Sequence, residues 1–433
     1  MGVFHQLFSQ DKHINTLLEQ IKRSEADQQL ITGLTGGARP AFLNALFLET
    51  NKPIYVLSPN LLQAQKLADD LASLIGEESV FYYPADEFIA ADMTIASPEL
   101  RAGRIATLDH LARGTAGIYV LPIAGMRKYI TSKKQWVLNF LQATVGEEID
   151  MDSWLAQLVA MGYTRNGMVT APGEFAARGG ILDIYPPYAE SPLRIELFDT
   201  EVDSIRSFDA DTQRSIEKLD SVRILPAVEI LLSTEERIKV AERLEEALAN
   251  SLKKVKKPEI QELLVQNIQY DIAMLREGNL PDHVNKYGSL LFEDKTFLGD
   301  YFAQDSIVLF DELGRIQEVM DAWEREETEW FLSLIEEGKM LHDVKLSFSF
   351  KEITSMIRQQ KLYLALFTRT FANIRFSKTS NFSCKPMQQF HGQIALLQNE
   401  IERWKHEKFT VLFTANGKER LEQMQGLLAD YHI

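Results

Sequence analysis

The residues that come closest to a catalytic motif form a glycine-rich loop after a short apolar stretch. This loop reads GLTGGARP over residues 33–40. ATPases bind phosphates with the pattern G-x-x-x-x-G-K-[ST], in which backbone amides surround the phosphates, the lysine reaches the β and γ oxygens and the hydroxyl binds Mg²⁺. Here Ala38 replaces the second glycine, Arg39 the lysine and Pro40 the hydroxyl residue. Because Pro40 has neither a hydroxyl nor an amide proton, we predict a loop that does not support ATP hydrolysis.

An acidic pair could supply the metal-binding half of such a site. Asp311 and Glu312 follow the apolar stretch SIVLF, as in a Walker B motif. Two carboxylates do not hold a catalytic Mg²⁺ productively without a working phosphate loop. The sequence therefore predicts an ATPase fold without ATPase chemistry, with a degenerate nucleotide loop at Gly33, Gly36, Gly37, Arg39 and Pro40 and a degenerate Walker B pair at Asp311 and Glu312.

Other catalytic signals are missing from the sequence. The eight histidines have no metal-ligand spacing, and Cys384, the one cysteine, has no partner for a CxxC site. No GxSxG motif is present. We predict no catalytic residue, no metal and no cofactor for this chain.

A second stretch of interest carries two arginines in an otherwise acidic chain, YTRNGMVTAPGEFAARGGILDIYPP at residues 163–187. We predict two strands, Tyr163–Val169 and Glu174–Tyr185, joined in a hairpin at residues 171–173, because proline fixes φ and glycine accepts a positive φ. The glycine pair at 179–180 indicates a bulge or a close backbone approach in the second strand. Two interpretations stay open: a solvated hairpin, or a docking surface, since arginine and aromatic side chains dominate interface hot spots.

The docking interpretation depends on which side chains share a face of this hairpin. If Thr170 pairs with Glu174, Arg165 and Phe175 lie on one face and Arg178 on the other. We predict an irregularity near residues 179–180 that brings Arg178 round to join Arg165 and Phe175.

Three successive sequence patterns position these residues. Up to Pro122, short apolar strands alternate with amphipathic helices, which is typical of a parallel sheet with right-handed crossovers. From about residue 126 strands follow one another at short spacing, and α/β character then returns. We predict an α/β protein with a degenerate RecA/P-loop-like parallel-sheet domain (1–125 and 215–345), an inserted small mostly-β domain (126–214) and a separate small α/β domain (346–433).

Composition limits the class of protein. A chain of 433 residues is too long for one core. A single cysteine excludes a disulfide framework and suits the cytoplasm, and no stretch approaches the roughly 20 apolar residues of a membrane span. The net charge of −16 disfavours a dedicated DNA-binding segment. The basic run at 253–257 is interpreted as a helix end and a solvated loop, with a nucleic-acid contact as the alternative.

With these features together, the chain resembles the N-terminal region of the bacterial transcription–repair coupling factors, the Mfd family. That region is itself similar to UvrB, a protein of nucleotide excision repair. The motifs that carry the resemblance are GLTGGARP, SPELRAGRI (97–105), residues 163–187, ELFDTEVDSIRSFDADTQRS (196–215) and ILPA (224–227).

The resemblance implies a non-catalytic interaction platform. It implies that the β module binds UvrA, the damage-sensing ATPase, through Arg165, Phe175 and Arg178, with Ala176 where UvrB has a further arginine. It also implies no DNA-clamping hairpin, because too few residues lie between Tyr83 and Ser97. In the longer family members, C-terminal domains would bind RNA polymerase, translocate along double-stranded DNA with ATP and Mg²⁺, and cover the UvrA-binding surface; no membrane is involved.

Two alternatives stay open at this point. One is a nucleotide-dependent, UvrB-like module that binds damaged DNA. The other is a nucleic-acid-binding module that uses the basic run at 253–257.

Overall fold

A parallel sheet forms the centre of the molecule. A computed structural model describes residues 11–24, 28–85, 97–281, 283–368, 371, 374–385, 387–388, 390, 392–413, 415 and 417–431. Seven strands lie side by side in the order β15 (Lys378–Asn381), β1 (Gln28–Thr32), β14 (Gln360–Ala365), β13 (Ile307–Asp311), β2 (Ile54–Ser58), β4 (Ile118–Pro122) and β3 (Val80–Tyr82). Most are short continuous apolar runs, because helices cover both faces of the sheet.

Two hydrophobic cores, one on each face, hold the helices against this sheet. The first core contains side chains of α1 (Lys12–Lys22), α2 (Ala38–Thr50) and α3 (Leu61–Ile75). The second contains side chains of α4 (Pro98–Arg113), α9 (Leu313–Glu336) and α10 (Phe350–Met356). Helix α4 begins with Ser97 as its N-cap, whose hydroxyl accepts from the Leu100 amide, and with Pro98 in its first turn.

The inserted β module has a sheet and a core of its own. Its six strands lie in the order β11 (Ser215–Leu219), β10 (Glu201–Phe208), β9 (Leu193–Phe198), β8 (Ile181–Ile184), β7 (Glu174–Arg178) and β6 (Thr164–Arg165). All neighbours are antiparallel except β6 and β7, which are parallel. Helix α6 (Met151–Ala160) packs on one face, and β5 (Leu141–Thr144) pairs with β12 (Ser221–Ile224) beside it.

The remaining helices include a hairpin with a separate core. Helices α7 (Thr234–Leu252) and α8 (Pro258–Arg276) pack together through their apolar faces. The basic run at 253–257 lies in their connection, where Lys254 pairs with Asp343, in agreement with the helix-end interpretation. Among the described residues, the other helices are α5 (Lys133–Leu138), α11 (Ile394–His406), α12 (Lys418–Asp430) and the 3-10 turns Glu77–Ser79, Ile123–Arg127, Val284–Leu290 and Leu298–Tyr301.

The predicted α/β class is confirmed, with a mostly-β module inserted between strands of one larger parallel sheet. Two predicted boundaries are wrong. Strand β14, assigned to a separate domain from 346 onward, lies inside the central sheet between β1 and β13. Strand β11, assigned to the ATPase-like domain from 215 onward, pairs with β10 in the β module. The predicted lack of a DNA-clamping hairpin concerns residues 86–96, which lie outside the described residues.

Candidate docking surface and closed phosphate loop

The degenerate nucleotide loop connects β1 to α2, as the sequence predicts, and its arginine binds the degenerate Walker B pair. The Arg39 guanidinium donates to Asp311 Oδ1 at 2.8 Å and also bonds Glu312. Its Nε donates to the Leu34 carbonyl at 2.9 Å. All three charged side chains are largely buried. The guanidinium therefore occupies the carboxylates with which an ATPase would hold Mg²⁺, and we call this arrangement the closed phosphate loop.

Burial dominates the electrostatics of the acidic pair. It raises the pKa of Asp311 to about 6, even though the neighbouring Arg39 lowers that pKa. A buried carboxylate is tolerated only with a compensating cation and hydrogen bonds. Arg39 therefore acts as a counter-ion for Asp311 and Glu312 and not as a phosphate ligand.

The chain after β15 covers the first half of the loop. The Phe382 amide donates to the Thr32 carbonyl at 2.8 Å, and the Thr35 hydroxyl donates to the Cys384 carbonyl at 3.3 Å. Gly33 has φ +82°, and a Cβ there would lie 1.8 Å from the Phe382 carbonyl oxygen. Glycine at 33 is thus required by a chain that packs on the loop. Among the described residues, no group of three or more histidine, cysteine or acidic side chains could hold a metal.

The arginine-containing stretch folds differently from the predicted hairpin. The turn lies at Gly179-Gly180, between β7 and β8, whereas the segment around 171–173 joins two parallel strands. Glu174 fixes that segment, because its carboxylate accepts from the amides of Thr170 at 2.8 Å and Ala171 at 2.9 Å. Burial raises the pKa of Glu174, but these hydrogen bonds outweigh it and the net pKa is lowered. The predicted hairpin at 171–173 and the predicted bulge at 179–180 are both wrong.

The strand register separates the three predicted contact residues. Phe175 is 0% exposed and lies in the core of the β module, so it cannot touch a partner directly. Arg165 is the register partner of Phe175 and belongs to the same face, but it is exposed because β6 is the edge strand. Arg178 lies on the opposite, outer face, and the β7–β8 register is regular. The predicted irregularity and the shared patch are therefore wrong.

The outer face of the six-stranded sheet carries a ladder of ionic side chains. Asp183 accepts two bonds from Arg194, at 2.6 and 2.8 Å, and one from Arg178 at 3.0 Å. On the next rung, Arg206 pairs with Glu196, which also accepts from Ser204 at 2.8 Å. Hydrogen bonding to Asp183 raises the pKa of Arg194. Arg178 makes a single bond to a carboxylate that Arg194 already occupies, and about half of its side chain is exposed.

The sequence of this chain is similar to that of known proteins. The family model described as the UvrB interaction domain matches residues 141–229, which include the whole six-stranded sheet. The transcription-repair-coupling factor of Bacillus subtilis (strain 168) is 44% identical over 420 residues, covering 97% of this chain and 35% of the relative. Those of Staphylococcus aureus strains RF122 / ET3-1 and MRSA252 are 32% identical over 437 residues, covering 100% of this chain and 37% of each relative.

The chain belongs to the transcription-repair-coupling factors. It spans about a third of the length of the curated relatives it matches. The matched interaction domain ends after β12, which agrees with the sheet topology and not with a boundary at 214. Among the described residues, no helix is long and apolar enough to cross a membrane.

In this family member, ionic contacts that sequence reasoning missed join the β module to the parallel-sheet domain. Arg104, inside the motif SPELRAGRI, donates its Nε at 2.9 Å to both oxygens of Glu229, the last residue of the matched interaction domain. Arg223 of β12 donates to Asp109 of α4 at 3.0 Å. Both contacts connect α4 to the last part of the module, from β12 to Glu229. The motif SPELRAGRI could have indicated such a contact, because an arginine that points from a helix into a core requires an acidic partner there.

Proposed function

We propose that this chain is a non-catalytic docking platform that recruits UvrA to sites where RNA polymerase has stalled at DNA damage. The observation that carries the proposal is the outer face of the β module, where Arg178 is 51% exposed and only partly neutralised by Asp183. Arginine forms paired, directional bonds to carboxylates, so an acidic group on the partner is the expected recognition element. Arg165 is exposed on the edge strand β6 but belongs to the opposite face of the sheet, so it would meet the partner at that edge as a second contact, separate from Arg178.

The closed phosphate loop supports a role without nucleotide chemistry. A nucleotide would have to displace Arg39 from Asp311 and Glu312, and Pro40 offers no hydroxyl for Mg²⁺. The cost of separating Arg39 from two buried carboxylates favours the closed state. We therefore expect no measurable binding of Mg²⁺-ATP by this chain in titration calorimetry. Binding that disappears in Arg39→Ala would favour the UvrB-like, nucleotide-dependent alternative.

Binding to purified UvrA tests the proposal directly. We expect wild type to be retained by immobilised UvrA, and the double variant Arg165→Ala/Arg178→Ala to bind much more weakly, because both arginines are exposed and contribute little to folding. Arg113→Ala is a matched control, since this arginine is equally exposed but lies on α4, outside the β module. Undiminished binding by the double variant would remove the proposed site.

The activity of the longer relatives is part of the same proposal. We propose that domains outside this chain bind RNA polymerase and double-stranded DNA, hydrolyse ATP to translocate, and cover the outer face of the β module around Arg178, which we call the docking face, until the factor is engaged. In that arrangement this chain supplies the repair-protein contact and the other domains supply the motor.

A further inference from the structure

An exposed phenylalanine lies on the outer face of the β module, where sequence reasoning placed none. Phe198, the last residue of β9, is 79% exposed. Its neighbour Leu197 points inward and packs against the module core, so the alternation of the strand directs Phe198 outward. A phenyl ring in water is unfavourable by its apolar area, and it contributes no packing here to offset that cost.

Phe198 lies near Arg178 on the same face. Arg178 pairs in register with Ile181, Ile181 pairs with Glu196, and Phe198 is two residues beyond Glu196 on the same strand. With strands about 4.8 Å apart and a rise of about 3.3 Å per residue, the Cα atoms of Arg178 and Phe198 are about 12 Å apart. That spacing fits inside the centre of one standard protein interface.

The glycine turn between β7 and β8 lies beside the end of β9. The Leu197 amide donates to the Gly180 carbonyl at 2.7 Å, so the turn at Gly179-Gly180 lies next to the end of β9. A Cβ on Gly180 would be 2.7 Å from the Leu197 carbonyl oxygen, while nothing lies within 4 Å of a Cβ on Gly179. Gly180 is therefore required by the close approach of the two strands. Gly179 adds no side chain that would shield Phe198 from a partner.

The charges around the ring define what could cover it. Arg178 lies on one side, whereas Glu201, the cross-strand partner of Phe198, and Asp199 in the turn lie at the tip. A complementary surface would present an apolar socket for the ring, a carboxylate toward Arg178 and neutral or basic groups toward Glu201 and Asp199. This asymmetry fixes the orientation of the partner as well as its chemistry.

We propose that Phe198 is the aromatic anchor of the docking face and inserts into an apolar socket of the partner, beside the carboxylate that Arg178 binds. The inference rests on the proposed function, because it names the residue that would dominate the same contact. Exposed aromatic residues flanked by arginine are the usual composition of interface hot spots, and Phe175, which is buried, cannot have this role.

Affinity for purified UvrA, measured by titration calorimetry or surface plasmon resonance on the whole chain, tests this inference. We expect Phe198→Ala to raise Kd by about 30-fold or more, which is the usual threshold for a hot-spot residue. Phe198→Leu should lose less than Phe198→Ala, because it keeps part of the apolar contact. Ile216→Ala, on the far strand β11 of the same sheet and 60% exposed, is the matched control and should change Kd by less than about 3-fold.

The outcomes separate this inference from the proposed function. If Arg178→Ala weakens binding and Phe198→Ala does not, the anchor is refuted and the docking face stands. If Arg165→Ala, Arg178→Ala and Phe198→Ala all bind like wild type, both proposals are refuted. Because Phe198 is exposed, its variants should unfold at the wild-type temperature, so a loss of binding with unchanged unfolding supports the anchor.

Discussion

Replacing Arg39 with alanine should destabilise the parallel-sheet domain strongly, because it leaves two buried carboxylates without the cation that bonds both. The side chains of Arg39, Asp311 and Glu312 are 18%, 7% and 13% exposed. Removing one partner of a buried ion pair costs about 3–5 kcal/mol. The measurement is urea unfolding followed by circular dichroism. Arg23→Ala is the control, since this arginine pairs with Glu19 on an exposed helix face and should cost no more than about 0.5 kcal/mol.

The loss of stability in Arg39→Ala should depend on pH because Asp311 is titratable. Burial raises its folded pKa to about 6, whereas in an unfolded chain the value is about 3.9. Ionisation of Asp311 therefore costs stability, and this cost is absent below about pH 4 and complete above about pH 6. Because Arg39 lowers the pKa of Asp311, this pKa is higher in the Arg39→Ala variant. The variant's loss in free energy of unfolding relative to wild type should therefore be larger at about pH 8 than at about pH 5. The difference is about 1.4 kcal/mol for each unit by which the pKa of Asp311 rises further.

A second substitution makes the test more specific. Arg39→Ala combined with Asp311→Asn removes one of the uncompensated charges, so we expect it to recover part of the stability and to lose the extra pH dependence. A deficit of Arg39→Ala below about 1 kcal/mol at about pH 8 would contradict the counter-ion role of Arg39. An equal deficit at both pH values would show that Asp311 does not respond to Arg39.

Two further substitutions test how the β module is held and folded. Arg104→Ala should lower the free energy of unfolding in urea by about 3–5 kcal/mol, because it leaves the partly buried Glu229 carboxylate without its cation. The control is Arg113→Ala, which removes an exposed arginine of the same helix and should cost less than about 1 kcal/mol. Similar losses in the two variants would refute a stabilising role of the Arg104–Glu229 pair. Gly180→Ala should lower stability by about 1–3 kcal/mol, since its Cβ would be 2.7 Å from a carbonyl oxygen of β9. Gly37→Ala, with no atom within 4 Å of its Cβ, is the control and should be neutral or stabilising.

Features set by local chemistry could be predicted from the sequence. The cap and first-turn proline of α4 at residues 97–98 and the position of the glycine-rich loop between β1 and α2 depend on residues a few positions apart. The insertion of a β module into an α/β sheet could also be predicted, because the spacing of strands and helices changes along the chain. These predictions agree with the structure because near neighbours in sequence decide them.

Features that depend on distant pairing were decided only by the tertiary structure. The sequence pattern of strand β14 is compatible both with the central sheet and with a separate domain. Its pairing with β1 and β13 assigns it to the central sheet. From the sequence, Arg39 is only an unsuitable replacement for the phosphate-binding lysine. In the structure it bonds Asp311, which lies 272 residues further along the chain, and acts as its counter-ion. In the β module, β6 pairs with β7 in parallel, so the hairpin turn lies at Gly179-Gly180 and not at the predicted residues 171–173. The register between strands decides to which face of a sheet a side chain belongs, so only the structure could show that Phe175 lies in the core and Phe198 on the outer face of the β module.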